Sequence, residues 1–120
     1  SFVSAYREYI DDAHTEVGIH VEYIATPDLT GKTLIIADPM LATGCSMELG
    51  YKALIAKGKP RHTHVACVIA TPEGISHVRE HLPEQETTIW CAAIDPGMNE
   101  HKYIVPGFGD AGDLCYGGKL

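Results

Sequence analysis

Three short apolar runs, Thr33–Ala37, His64–Ala70 and Thr88–Ile94, constrain this chain more than any other feature. Each has the length of a strand, and helical patterns lie between them. A pattern through Met47, Tyr51, Leu54 and Ile55 starts at Ser46 and ends at Gly58. A second opens at Thr71-Pro72-Glu73, continues through Ile75, Val78 and Leu82, and stops at Pro83. Continuous apolar strands belong to sheets covered on both faces. Strand, helix, strand, helix, strand is the order of parallel crossover units. The fold class is therefore α/β, a parallel sheet flanked by helices. With 120 residues, 45% of them apolar, the chain reads as a single domain, 1–120, with a real core. Ahead of the runs, apolar residues at Phe2, Val3, Tyr6, Tyr9 and Ile10 predict a helix from Ser1 to about Ala13, and alternation at Val17, Ile19, Val21 and Tyr23 predicts a strand. Thr26–Gly31 reads as a turn and Asp38–Cys45 as a loop. From Asp95 the chain is loop-rich apart from Tyr103–Val105.

Charge narrows the partners. Nine Lys and Arg against sixteen Asp and Glu leave a formal net charge of −7. Binding to nucleic acid or to an anionic membrane needs clustered positive charge, so neither is expected. The one basic cluster, Lys52, Lys57, Lys59 and Arg61, reads as the solvated end of a helix. No apolar run nears the roughly 18 residues of a membrane-spanning helix, and the start lacks the pattern of a signal peptide. A soluble, cytoplasmic chain is expected. It begins without Met on a mid-domain pattern, and so reads as part of a longer protein. Cys45, Cys67, Cys91 and Cys115 show no paired spacing, and Cys67 and Cys91 read as small core side chains. His62 and His64, without an evident third ligand, read as surface or strand-edge residues rather than a metal site.

In open α/β sheets ligands bind beyond the carboxyl ends of the strands. Two segments lie there. Asp38-Pro39-Met40-Leu41-Ala42-Thr43-Gly44-Cys45-Ser46 joins a strand to a helix, and its second half is all small residues. Helix-start N–H groups with the dipole behind them bind phosphate, and Thr43 and Ser46 add hydroxyls. Without the Lys of a triphosphate loop, a monophosphate is the better guest. On spacing alone the segment reads equally as a plain strand-to-helix turn with Ser46 as N-cap. The second segment, Tyr103–Asp113, combines bare backbone with two carboxylates, and six of the twelve glycines fall between Gly97 and Gly118. Main-chain groups there can match a pyrimidine edge, while composition alone equally allows a surface loop.

Ile35–Ser46 resembles the phosphoribosyl-diphosphate motif of type I phosphoribosyltransferases, and Asp-Pro-Met-Leu-Ala-Thr-Gly is similar to the form in the uracil-specific family. Tyr103–Asp113 resembles the uracil-binding segment of that family, and Ala93–His101 the stretch before it. The resemblance runs from about Val21 to the C-terminus and implies transfer of phosphoribosyl from 5-phosphoribosyl 1-diphosphate to uracil, giving UMP and pyrophosphate. It implies that Ala42, Thr43, Gly44, Cys45 and Ser46 anchor the 5′-phosphate and Asp38 the ribose, with Pro39, Met40 and Leu41 completing the motif. Ile104, Gly109, Asp110 and Ala111 would contact uracil. Asp38 and Asp110 are the implied catalytic carboxylates, with Mg2+ bridging the diphosphate and helped by Asp110 through water rather than by a direct ligand. The same likeness implies a homo-oligomer and offers GTP as a candidate activator.

Two departures stand out. Cys45 occupies a position that is usually Gly in the family; at a helix start it is expected to react with alkylating reagents. Neither motif holds a Lys or Arg, and only Arg7 and Lys32 precede Asp38. Arg7 falls near the region of the family's mobile arginine loop without matching its surroundings. These 120 residues are therefore expected to be the C-terminal part of the enzyme, weakly active or inactive alone. A non-catalytic nucleotide-binding regulator and a structural assembly domain are the competing readings.

Overall fold

The computed structural model describes residues 1–9 and 17–118. Its centre is a parallel sheet of three strands in the order β3 (Thr33–Leu41), β4 (His62–Ala70), β5 (Thr87–Ile94). Helix α1 (Cys45–Ile55) crosses from β3 to β4, and α2 (Pro72–His81) from β4 to β5. Crossovers of this kind are right-handed, so with the strands in sequential order both helices fall on one face. One buried cluster accordingly joins Leu34 and Val65 of the sheet to Met47, Tyr51 and Leu54 of α1 and Val78 of α2. The expected architecture, a parallel sheet flanked by helices, is present.

The other face of this sheet carries Ile35, Val68, Trp90 and Ile94, each more than half exposed. These are the residues that made the three runs continuously apolar. His64 sits on the same face, where its Nδ1 accepts the Trp90 indole N–H at 3.1 Å. His62 Nε2 lies 2.8 Å from the Thr88 hydroxyl. Both histidines are thus strand residues held by neighbours, but on β4, the central strand of the sheet, rather than at an edge.

The amino-terminal segment differs from expectation. Instead of a helix, Phe2–Tyr9 is a strand, β1, paired antiparallel with β2 (Val17–Ala25); the remainder of the expected helix, 10–13, lies outside the described residues. Phe2 is aromatic and Val3 is β-branched, residue types that suit a pleated surface. Over nine residues the helical spacing was no match for a partner strand.

Beyond β5 come a two-stranded ladder of β6 (Gly97–Met98) and β7 (Ile104–Val105), and a short helix, α3 (Ala111–Tyr116). The sequence reading contained no helix there. Among the described residues no helix is long and apolar enough to cross a membrane.

Register decides where the site can be. Leu41 pairs with Ala70, and Ala70 with Ile94. The three strands therefore end level, and the segments after them leave from a single edge.

Candidate active site

At that edge β3 runs on through Asp38-Pro39-Met40 to Leu41, so the expected loop shrinks to Ala42-Thr43-Gly44. Helix α1 then begins at Cys45 with Gly44 as its N-cap, not Ser46. The reason is the backbone of Gly44: at φ 85° it turns the chain straight from strand to helix, a conformation a side chain resists. A Cβ on Gly44 would stand 2.9 Å from the His77 Cβ and 3.0 Å from the Gly74 carbonyl. Cys45, by contrast, is not at positive φ, so the thiol is accommodated without strain. Asp38 Oδ1 accepts the Met40 N–H at 3.1 Å, and Thr43 Oγ1 accepts the Cys45 N–H at 3.3 Å.

Asp38, Met40, Leu41, Ala42, Thr43, Gly44, Ser46 and Met47 together line one small hollow of about 10 Å³. Room for about one water makes it a mould around the loop rather than a ligand-sized chamber. None of these lining residues is Lys or Arg. The positive potential on offer is the start of α1, whose first N–H groups have no partner inside the helix. Glu48 in the first turn would oppose an anion. Its carboxylate is instead bonded by Lys52 and by His77, the latter at 2.6 Å, and these partners, Lys52 foremost, hold it below the usual carboxylate range.

A second residue group buttresses the loop from behind. Thr71, buried, donates its hydroxyl to the Ala42 carbonyl at 2.6 Å and accepts the Gly74 N–H at 3.0 Å as the N-cap of α2. Its own N–H reaches the Leu41 carbonyl at 3.0 Å. One side chain thereby pins the loop and starts the next helix.

The second segment is tied to the same edge more lightly. Asp95 N–H donates to the Ala70 carbonyl at 2.8 Å, and Asp95 Oδ2 accepts the Gly107 N–H at 2.9 Å. Asn99 Oδ1 accepts the N–H groups of His101 and Tyr103. Ile104 is buried; Gly109 is exposed at φ 83°, with nothing within 4 Å of where a Cβ would point. Asp110 caps α3, its Oδ1 accepting the Asp113 N–H at 3.0 Å, and Ala111 is the first residue of that helix. The side chain of Arg7, weighed above near the family's arginine loop, lies outside what the structure describes.

A larger cleft, about 270 Å³, is lined by Val78, Arg79, Leu82, Glu84, Thr87, Thr88 and Ile89. It lies at the amino end of β5, the edge opposite to the one where α/β sheets bind ligands. Size alone does not make it the site.

Cys67 pairs with Asp38 across the β3–β4 ladder. Burial, then Cys91 and Asp38, push its thiol up to about 11, so it stays neutral and inert. All four cysteines are free thiols.

A loop of small residues and a glycine-rich segment leave one sheet edge, and this arrangement can be compared with known proteins. Residues 11–118 match the family model of uracil phosphoribosyltransferase. The chain belongs to that family. A uracil phosphoribosyltransferase from Porphyromonas gingivalis is 60% identical over 120 residues, which cover 100% of this chain and 54% of that protein. One from Thermococcus gammatolerans is 42% identical over 103 residues, 85% of this chain and 45% of that one. The chain spans about half the length of the curated relatives it matches. A solved structure of a protein from Aquifex aeolicus superposes with a TM-score of 0.83 at 31% identity, covering 99% of this chain and 53% of that one. Membership of the family and the α/β fold are thus both sustained.

Sequence reasoning missed three residues of this edge. Thr71 was legible as a helix cap, but its bond to Ala42 joins positions 29 apart. His77 walls Gly44 from another helix. Glu48 is by type an ordinary acidic residue for the first turn of a helix, and only the fold brings His77 to it.

Proposed function

We propose that this chain supplies the nucleotide-binding half of a uracil phosphoribosyltransferase, the protein that joins uracil to 5-phosphoribosyl 1-diphosphate to form UMP and pyrophosphate. The observation that carries this is the level ending of β3, β4 and β5, which sends the Asp38–Ser46 and Tyr103–Asp113 segments out from one edge.

Ala42 to Ser46 hold the 5′-phosphate on the N–H groups at the start of α1, with the hydroxyls of Thr43 and Ser46 beside them. Asp38 accepts hydrogen bonds from the ribose hydroxyls. Pro39, Met40 and Leu41 carry the strand into the loop, and Cys45 lies along the phosphate. Uracil meets Ile104, Gly109, Asp110 and Ala111. The Ile104 side chain is buried, so its contact falls to the main chain. Gly109 leaves the base an unobstructed approach.

As positive charge grows on the ribose ring, catalysis rests on positioning and electrostatics. Mg2+ would be held by the substrate phosphates and several waters, with Asp110 reaching it through one of those waters rather than as a direct ligand. When bound, that ion neutralises diphosphate charge. No Lys or Arg stands in either loop, which supports product binding by these 120 residues with little turnover. The bare apolar face with Trp90 and Ile94 supports association with further protein surface, a homo-oligomer included.

Calorimetric titration with UMP in Mg2+, with CMP as control, tests the reading. UMP binds selectively if it holds. Equal binding of both, or none by a folded chain, removes the uracil assignment from these residues.

A further inference from the structure

We propose that Glu48, His77 and His81 form a binding site for a divalent transition-metal ion of the zinc class, clasping α1 to α2 behind the phosphate loop. The three offer ligand atoms that all lie within 4.8 Å of one another. His77 and His81 are one helical turn apart on α2, their rings stacked at 4.1 Å between centroids and 17° between planes. Glu48 comes from the first turn of α1.

The tautomers favour ligation. His81 Nδ1 lies 2.8 Å from the His77 carbonyl, which only accepts, so Nδ1 carries the hydrogen and Nε2 keeps its lone pair. An imidazole anchored in this way through its other nitrogen is how metal-binding histidines are oriented. His77 Nε2 is 2.6 Å and His81 Nε2 4.0 Å from the same oxygen, Glu48 Oε2. In a tetrahedral zinc site, with bonds near 2.0–2.2 Å, ligand atoms are about 3.3–3.5 Å apart. The first distance must open and the second close, each by less than about 1 Å, within the reach of side-chain rotation. The ion takes the place of the hydrogen that His77 Nε2 donates to Glu48; in the neutral ring that hydrogen moves to Nδ1.

Two imidazoles and one carboxylate select zinc, cobalt, nickel or copper, whereas Mg2+ wants oxygen alone. His81 is exposed, which gives the ion an entry path and a water a fourth position. Lys52 on the other Glu48 oxygen orients the carboxylate. Because His77 also packs on Gly44, an ion here stiffens the loop that receives phosphate.

The test titrates chelator-treated chain with Zn2+ by calorimetry and with Co2+ by visible absorption, Mg2+ serving as control. One equivalent of Zn2+ is expected, with a tetrahedral Co2+ spectrum and no response to Mg2+. H81Q, at an exposed position, should weaken Zn2+ by at least roughly tenfold, a loss seen even when only an outer partner of a ligand is removed. H64Q should leave binding unchanged. Absent Zn2+ uptake, uptake that survives H81Q, or thiolate-to-cobalt absorption, which needs no variant to read, would each overturn the proposal.

Discussion

The two loops at the carboxyl edge are built in opposite ways. Each contains a glycine at positive φ, 85° at Gly44 and 83° at Gly109. Gly44 is buried against His77 and Gly74, whereas Gly109 is exposed and faces open space. Behind the first loop stand two helices and Thr71; the second hangs from Asp95 and from bonds within itself. A phosphate is the same on every nucleotide and suits a mould set by the core. A base has to be admitted and distinguished, and a lighter loop allows that. Under the proposed function, a rigid scaffold would hold what all nucleotides share and a looser loop what distinguishes them.

The largest effect expected is at Gly44. G44V forces a β-branched residue into positive φ, costing about 1–3 kcal/mol, and overpacks against His77, costing about 1–3 more. It should lower the melting temperature and weaken UMP by about 100-fold, each tenfold being about 1.4 kcal/mol. G109V carries only the first cost, in a loop with space to shift. It should lower the melting temperature clearly less than G44V does and abolish the preference of UMP over CMP. Equal effects of the two variants on melting would erase the distinction between the loops.

Next in size is T71V, which leaves the Ala42 carbonyl without its hydroxyl partner and removes the cap of α2. Lost caps cost about 0.5–2 kcal/mol. Thermal melting should report that loss, and affinity for ribose 5-phosphate should fall with it while the Tyr103–Asp113 loop keeps its amide-exchange rates. The smallest effect concerns thiols. At pH 8 Cys67, pushed up to about 11, should alkylate far more slowly than exposed Cys115. UMP should slow labelling of Cys45 by covering the loop, as mass spectrometry of modified peptides would show; labelling of Cys45 at the same rate with and without UMP would separate the thiol from the site.

Much of this was legible from local pattern. The run from β3 to β5 reads directly because strand and helix periods alternate cleanly there, and the two motifs lie where that order puts them. What escaped depends on distant partners. Phe2–Tyr9 has helical spacing, yet pairs with β2 as a strand. Ser46 is a sound N-cap residue by type, but Gly44 starts the helix two positions earlier because its backbone can take the turn. Helix α3 was hidden by glycine at position 112 and by its length of six residues. Thr71 and His77 meet the Ala42–Gly44 loop across 29 and 33 positions, which no local pattern encodes.

On the proposed function, both loops belong to one nucleotide site, one half for phosphate and one for base. Amide chemical-shift mapping of the chain with UMP, ribose 5-phosphate and uracil would show whether they do. Ribose 5-phosphate should move residues 42–46 and uracil residues 104–111, with UMP moving both sets at once. Shifts gathered instead around Val78–Ile89, or UMP perturbing only one of the two loops, would contradict the claim.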